Sequence, residues 1–389
     1  MGIELLYLLF VWIIIWSWLS NRSVTYHNRR LICGNHLYGI VVFGLMGVLM
    51  CFRSVDVGAD TYAYAVNIYH NIISVAPFNE VFSFDGTDML SYEFSKAPLY
   101  WRFFWIICIF SDEPSAYIFV GSLIFMIGLV SFIYRSKVNI IIAALVFLLS
   151  LQYFLAFNIM RQFISIVFCA NAFLYLFQSL RSGKGWLLYV MGVMIHPVSA
   201  IFALAILGAF LARRYSIMRL VTISILTAIG VVTLLFVVMK LFVIYTENIQ
   251  YATYFIDNGG DNFLGANNKG TGMAVIGQAS GYLGVAILYI YIMWKRKLDE
   301  KGTLGYAILP STIVFSVVWL ILREVPMIDR ILMVFQVLEI VFIPYVLNLY
   351  PLRQRMILYF ISILGLASYA TVIMGKEGMY GIFPYTIGL

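Results

Sequence analysis

Charge is what this chain has least of. Of its 389 residues, 11% carry charge and 63% are hydrophobic. A soluble domain has about 25% charged residues, so this chain cannot cover a water-facing surface with polar groups. Short alternating strands are missing too. The apolar runs are long and unbroken, which excludes a membrane β-barrel built from strands of about 10 residues. Cysteine is scarce: Cys33, Cys51, Cys108 and Cys169 lie in or beside apolar stretches without CxxC spacing. They read as space-filling thiols, not as metal or redox ligands. There is no Walker A loop, because the Gly- and Asn-rich stretch Asp257–Gly272 never sets a Gly-Lys-Thr after a correctly spaced Gly. Asp85-Gly86-Thr87-Asp88 holds too few ligands for a calcium loop. The first apolar run, Ile3–Leu19, lacks a basic leader and an A-x-A site and carries Glu4, so it is expected to remain as a first span. The net charge of +7 sits in short clusters between apolar runs, which argues against nucleic acid as a partner.

What remains is one apolar run after another. A helix crossing the ~30 Å hydrocarbon core needs ~20 apolar residues, and the runs predict an all-α, polytopic integral membrane protein of about twelve segments, one polytopic domain over residues 1–389. Basic clusters mark the cytoplasmic side: Arg22, Arg29 and Arg30; Arg135 and Lys137; Arg181 and Lys184; Arg213, Arg214 and Arg219; Lys295 to Lys301; Arg353 and Arg355. That places both termini outside, with external loops over 52–98 and 246–272 and external turns over 158–162 and 323–330. Leu99–Phe110 is too short to cross and is expected to be re-entrant or interfacial. Trp186–Leu211 has basic residues at both ends and His196-Pro197 near its middle. Proline removes a backbone donor and pushes the preceding residue off helical angles. The segment is therefore expected as a broken pair of short helices facing protein or a polar cavity.

With this sidedness, Arg53, Asp60, Arg161, His196, Arg323 and Arg330 fall on the outer face or in a cavity open to it. The arginines among them oppose the positive-inside bias, which points to an anionic partner on that face. Each has a plainer alternative. Arg53 and Arg161 can snorkel to lipid headgroups, Asp60-Thr61 can cap a helix, and Arg323 and Arg330 can pair with Glu324 and Asp329. His196 can be a satisfied core histidine or a general base. Tyr92, Glu93, Tyr100 and Trp101 can meet sugar, although aromatics are common at the membrane interface.

Taken in order, several pieces carry a resemblance: Phe52-Arg53…Gly58-Ala59-Asp60-Thr61…Tyr64, Met160-Arg161-Gln162, His196-Pro197, and Asp329-Arg330 before a span running to Pro344-Tyr345. The chain resembles the bacterial polysaccharide polymerases of the Wzy/EpsG type. That resemblance implies a multi-pass glycosyltransferase of the inner membrane, GT-C-like in architecture, acting on the periplasmic face. Its substrates would be two undecaprenyl-diphosphate-linked glycans, with membrane lipids around it, a chain-length regulator as a partner, and neither cofactor nor metal. Asp60 or His196 would serve the acceptor hydroxyl. Arg53, Arg161, Arg323 and Arg330 would hold the diphosphate, and Tyr64, Glu93 and Gln162 the glycan. A lipid-linked glycan flippase would be expected to show internal repeats, and none is clear. An O-antigen ligase shares the donor chemistry, and a histidine-dependent membrane acyltransferase fits the arginines less well.

Overall fold

In hydrocarbon, a backbone must satisfy its N–H and C=O groups internally, so each apolar run is driven to helix. The computed structural model describes residues 2–24, 31–81, 89–245, 271–296, 301–322 and 328–374, and their elements are helical throughout. The chain runs α1 (Gly2–Val24), α2 (Leu31–Cys51), α3 (Ala59–Tyr62) passing into a π-helix (Ala63–Ile73), α4 (Phe78–Val81), α5 (Met89–Lys96), α6 (Pro98–Cys108), α7 (Pro114–Arg135), α8 (Ile140–Leu149), α9 (Gln152–Asn158), α10 (Met160–Gln178) and α11 (Gly183–Ile195). A 3-10 helix (Pro197–Phe202) leads to α12 (Ala203–Ala212), α13 (Ile217–Tyr245), α14 (Thr271–Arg296), α15 (Leu304–Leu322), α16 (Ile328–Asn348) and α17 (Leu352–Met374). Among the described residues, six helices are long and apolar enough to cross a membrane, seven if α8 and α9 count as one bent span. This is a multi-pass membrane protein.

The chain sorts into two compact units, one reaching to Ala200 and the other beginning at Ile201. In the first, α10 is the central helix, buried along nearly its whole length and packed on α7, α11 and α9. In the second, α15 holds that place among α12, α13, α14 and α16. Helices apolar on every side are what a central position requires. Their starts follow local chemistry. The Asn139 side chain accepts from the N–H groups of Ile141 and Ile142 to begin α8, and Pro98 and Pro114 open α6 and α7, where a missing N–H leaves no bond unmade.

The structure departs from the sequence reading in several places. The apolar run Asn139–Phe157, long enough to read as one span between the basic cluster at Arg135 and Lys137 and the 158–162 turn, is not one helix: α8 stops at Leu149 and the chain bends by 59° into α9. The cause is local: Leu151 sits at φ 63°, a left-handed conformation that interrupts a right-handed helix. The expected external turn 158–162 shrinks to Ile159, because α10 already begins at Met160. Arg161 and Gln162 thus occupy a helical first turn and are buried. The 52–98 stretch, expected as a long loop, carries α3, the π-helix, α4 and α5, with residues 82–88 outside the described set. Helix α6 has 11 residues, about 16 Å at 1.5 Å per residue, half of what a crossing needs. At His196 the backbone is extended (φ −150°, ψ 110°) and α11 ends, as the following proline dictates.

Candidate functional site

The first unit brings three distant stretches together: the end of α2 with α3, the α5–α6 corner, and the α9–α10 junction. A helix C-terminus leaves carbonyls without intrahelical partners, and a helix N-terminus leaves N–H groups. At the end of α9 the Phe157 carbonyl accepts from Arg53 Nη2 (3.2 Å) and Thr61 Oγ1 (2.8 Å). Arg53 Nη1 donates to the Met50 carbonyl at 2.7 Å and to Ser122 Oγ at 2.9 Å. Its guanidinium lies 5.1 Å from the Phe157 ring centroid. Arg53 is 2% exposed, so its donors are turned into the protein. Asn158 Oδ1 accepts from the Asp60 backbone N–H at 2.6 Å. That bond caps α3 from outside, since Gly58 at the N-cap position has no side chain to do so. Gly58 adopts φ +102°, and a Cβ there would lie 2.6 Å from Thr61 Oγ1 and 3.0 Å from the Phe157 carbonyl oxygen. Only glycine combines that conformation with that approach.

Two residues past the junction stands Arg161, 6% exposed. Its Nη1 lies 3.6 Å from Glu93 Oε2, an ion pair longer than a hydrogen bond. Among the described residues it donates no hydrogen bond. Its guanidinium lies 5.1 Å from the Tyr64 ring and 6.0 Å from the Trp101 ring. Glu93 is itself buried, accepts from Trp101 Nε1 at 3.0 Å and stands 3.9 Å from Lys96 Nζ. Behind them Trp101 stacks on Tyr117, and the Tyr100 and Tyr117 hydroxyls meet at 2.7 Å. Burial, reinforced by the neighbouring Tyr117, pushes the Tyr100 phenol well above the usual tyrosine range, so it stays protonated. The result is a buried cation beside one carboxylate, walled by aromatic rings, with donor capacity left over. That arrangement is suited to an anion with several acceptor oxygens.

One turn along α10, on the same face as Arg161, Ser165 Oγ lies 2.6 Å from both the Gly192 carbonyl and Ser199 Oγ and 3.5 Å from the His196 carbonyl. The chain break at His196 is therefore fastened to the helix that carries Arg161.

Asp60, half-buried, lies one turn before Tyr64, so the structure gathers Arg53, Asp60, Tyr64, Glu93 and Arg161 in one unit. Gln162 is buried beside them. Arg323 lies outside the described residues, as does the side chain of Arg330, whose backbone is in the first turn of α16; most of the 246–272 loop is outside as well. Trp101 and Tyr100, read as sugar contacts from sequence, are buried in the aromatic cluster. Asn158, Ser122 and Ser165 were missed. Asn158, separated from the Met160-Arg161-Gln162 motif by Ile159 alone, was the available signal, since a polar amide there has a helix end to serve.

The model of the EpsG family matches residues 36–387. No curated protein and no solved structure matches the chain.

Proposed function

The chain belongs to the EpsG family, and from that premise we propose that it is a polysaccharide polymerase, a membrane glycosyltransferase whose donor is a glycan on undecaprenyl diphosphate. One observation carries the reading: the buried Arg161 guanidinium, ion-paired to Glu93 yet donating no hydrogen bond to a described residue. Its place in the first turn of the 19-residue α10 adds the positive end of the helix dipole. A diphosphate supplies the acceptor oxygens that this position lacks.

In the proposed reaction the bond between the sugar anomeric carbon and the diphosphate oxygen breaks, and a bond forms to a non-reducing-end hydroxyl of a second lipid-linked repeat unit. The hydroxyl proton passes to Asp60 or His196, and undecaprenyl diphosphate leaves with the bonding electrons. Charge grows on the diphosphate as it departs, and preorganised cations in a dry site stabilise that charge. Arg161 takes this role, joined on sequence grounds by Arg323 and Arg330. Glu93 orients Arg161 and, with Tyr64 and Gln162, borders the glycan. In this reading the chain forms about twelve membrane segments in a GT-C-like arrangement, its site faces the periplasm of an inner membrane, a chain-length regulator is its partner, and it uses no cofactor.

The test is a surface-glycan gel from cells carrying Arg161→Ala, His196→Ala or Asp60→Asn at matched protein levels. Polymerisation through these residues collapses the long ladder to a single repeat. If polymer instead accumulates on undecaprenyl diphosphate, the protein is a ligase. If repeat units are trapped on the cytoplasmic leaflet, it is a flippase. An unchanged ladder overturns the site.

A further inference from the structure

The resemblance offers Arg53 as a diphosphate ligand and Asp60 as a base, yet Arg53 Nη2, the Thr61 hydroxyl and the Asp60 backbone N–H all bond to the α9–α10 junction. We infer that Arg53, Gly58, Thr61 and Asn158 are positioning residues, a clasp between two helix ends that sets the Arg161 guanidinium for the substrate anion.

Two helix ends meet here, each with backbone groups that its own helix leaves unsatisfied. Helix α9 is seven residues long and ends beneath the α3 N-terminus, so each end carries what the other needs. The Phe157 carbonyl takes donors from Arg53 and Thr61, and the Asp60 N–H takes the Asn158 side chain. Gly58 permits the contact by having no Cβ. Thr61 is 3% exposed and Asn158 is 6% exposed, so a bond removed here is not readily replaced by water. Ile159, at φ −109° and ψ 50°, is the single residue between α9 and α10. A shift of Phe157–Asn158 therefore passes into the first turn of α10, where Arg161 is the second residue. Arg161 is poorly anchored by its own contacts, with one ion pair at 3.6 Å and two aromatic faces, so its direction depends on where that turn is held.

The inference rests on the reading of Arg161 as a diphosphate ligand, and the experiment separates the two. The probe is undecaprenyl diphosphate, the proposed leaving group, binding to the whole protein in nanodiscs. Thr61→Val keeps shape and removes the O–H; it is expected to weaken binding by about 3- to 10-fold. Thr61→Ser restores the O–H and is expected to bind within about 2-fold of the unaltered protein. Arg161→Lys keeps charge and loses the planar fork. If the clasp acts through Arg161, Thr61→Val combined with Arg161→Lys binds within about 2-fold of Arg161→Lys alone. Asn158→Ala removes a different bond and is expected to repeat the pattern, which also covers a Thr61→Val protein that fails to fold. A multiplicative loss in the double variant overturns the clasp and leaves the diphosphate reading standing, as does folded Thr61→Val binding like the unaltered protein. Arg161→Lys binding like the unaltered protein overturns both.

Discussion

The Glu93–Arg161 pair makes the sharpest prediction, because both partners are buried. At 3.6 Å and an effective dielectric of about 20, two unit charges attract by about 5 kcal/mol before desolvation is counted. Removing one partner of such a pair strands the other charge and typically costs about 3–5 kcal/mol. Glu93→Gln keeps the shape, and its amide oxygen still accepts from Trp101 Nε1, so the change isolates the charge. Two effects follow with opposite signs. Without ligand, the thermal midpoint of the purified protein in detergent falls, because Arg161 is an uncompensated cation. With ligand, an anion becomes its one counter-charge instead of a competitor of Glu93, and affinity rises. At 100 times its dissociation constant a ligand stabilises by about 2.7 kcal/mol. At that excess, farnesyl diphosphate is expected to raise the midpoint of Glu93→Gln by more than that of the unaltered protein. Equal midpoints and equal ligand-induced shifts would show that the pair has no electrostatic consequence and would sink the reasoning.

Other perturbations give plainer outcomes. Gly58→Ala forces a Cβ into a left-handed position against Thr61 and the Phe157 carbonyl; a loss of about 1–3 kcal/mol is expected, read as a lower unfolding midpoint and less protein in the membrane. In the second unit, Thr312 Oγ1 meets Glu339 Oε1 at 2.5 Å and Glu339 is 1% exposed. Thr312→Val leaves that carboxyl without its hydroxyl partner and is expected to destabilise by about 1–3 kcal/mol in thermal unfolding; a Thr312→Ser protein should recover most of the loss. Tyr100 holds its proton more tightly when folded than when unfolded. The stability tied to it is whole below the unfolded tyrosine value of about pH 10 and declines as pH rises above that value. Comparison of unfolding midpoints at pH 9 and above pH 10 should show a steeper decline for the unaltered protein than for Tyr100→Phe.

The spans were legible because apolarity in long runs is a signal that the membrane itself imposes. The apolar run Leu304–Leu322 is one continuous helix in the structure, and α13, α14 and α17 likewise each cover one apolar run. Arg53 and Arg161 were legible for the opposite reason, as charges at the ends of apolar runs. Hidden were the features that depend on which chain ends meet. Nothing in Ser150-Leu151-Gln152 marks a left-handed residue, since leucine is a good helix former. Nothing local pairs Glu93 with Arg161 or aims Asn158 at the Asp60 N–H.

Arg53 and Arg161 show why residue type alone could not divide the roles. Both are buried arginines at junctions between membrane helices, and the sequence reading gave them one task. Their surroundings differ in the polarity of the helix end beside them. Arg53 faces the C-terminal ends of α2 and α9, where the Met50 and Phe157 carbonyls stand open and accept its donors. Arg161 stands in the first turn of α10, where the open backbone groups are N–H donors and cannot serve a guanidinium. A cation at a C-terminal helix end is answered by the backbone. A cation at an N-terminal end adds to the positive end of the dipole and is answered only by an anion. Glu93 is a partial answer, one carboxylate beyond hydrogen-bond distance from a group with five donors. Exchange of the two environments is therefore not symmetric. Arg53→Lys should loosen the junction and lower the unfolding midpoint with or without diphosphate, whereas Arg161→Lys should leave the midpoint without ligand nearly unchanged and remove most of the stabilisation that diphosphate confers. If both variants lose stability alike and keep the ligand shift, helix-end polarity does not separate their roles.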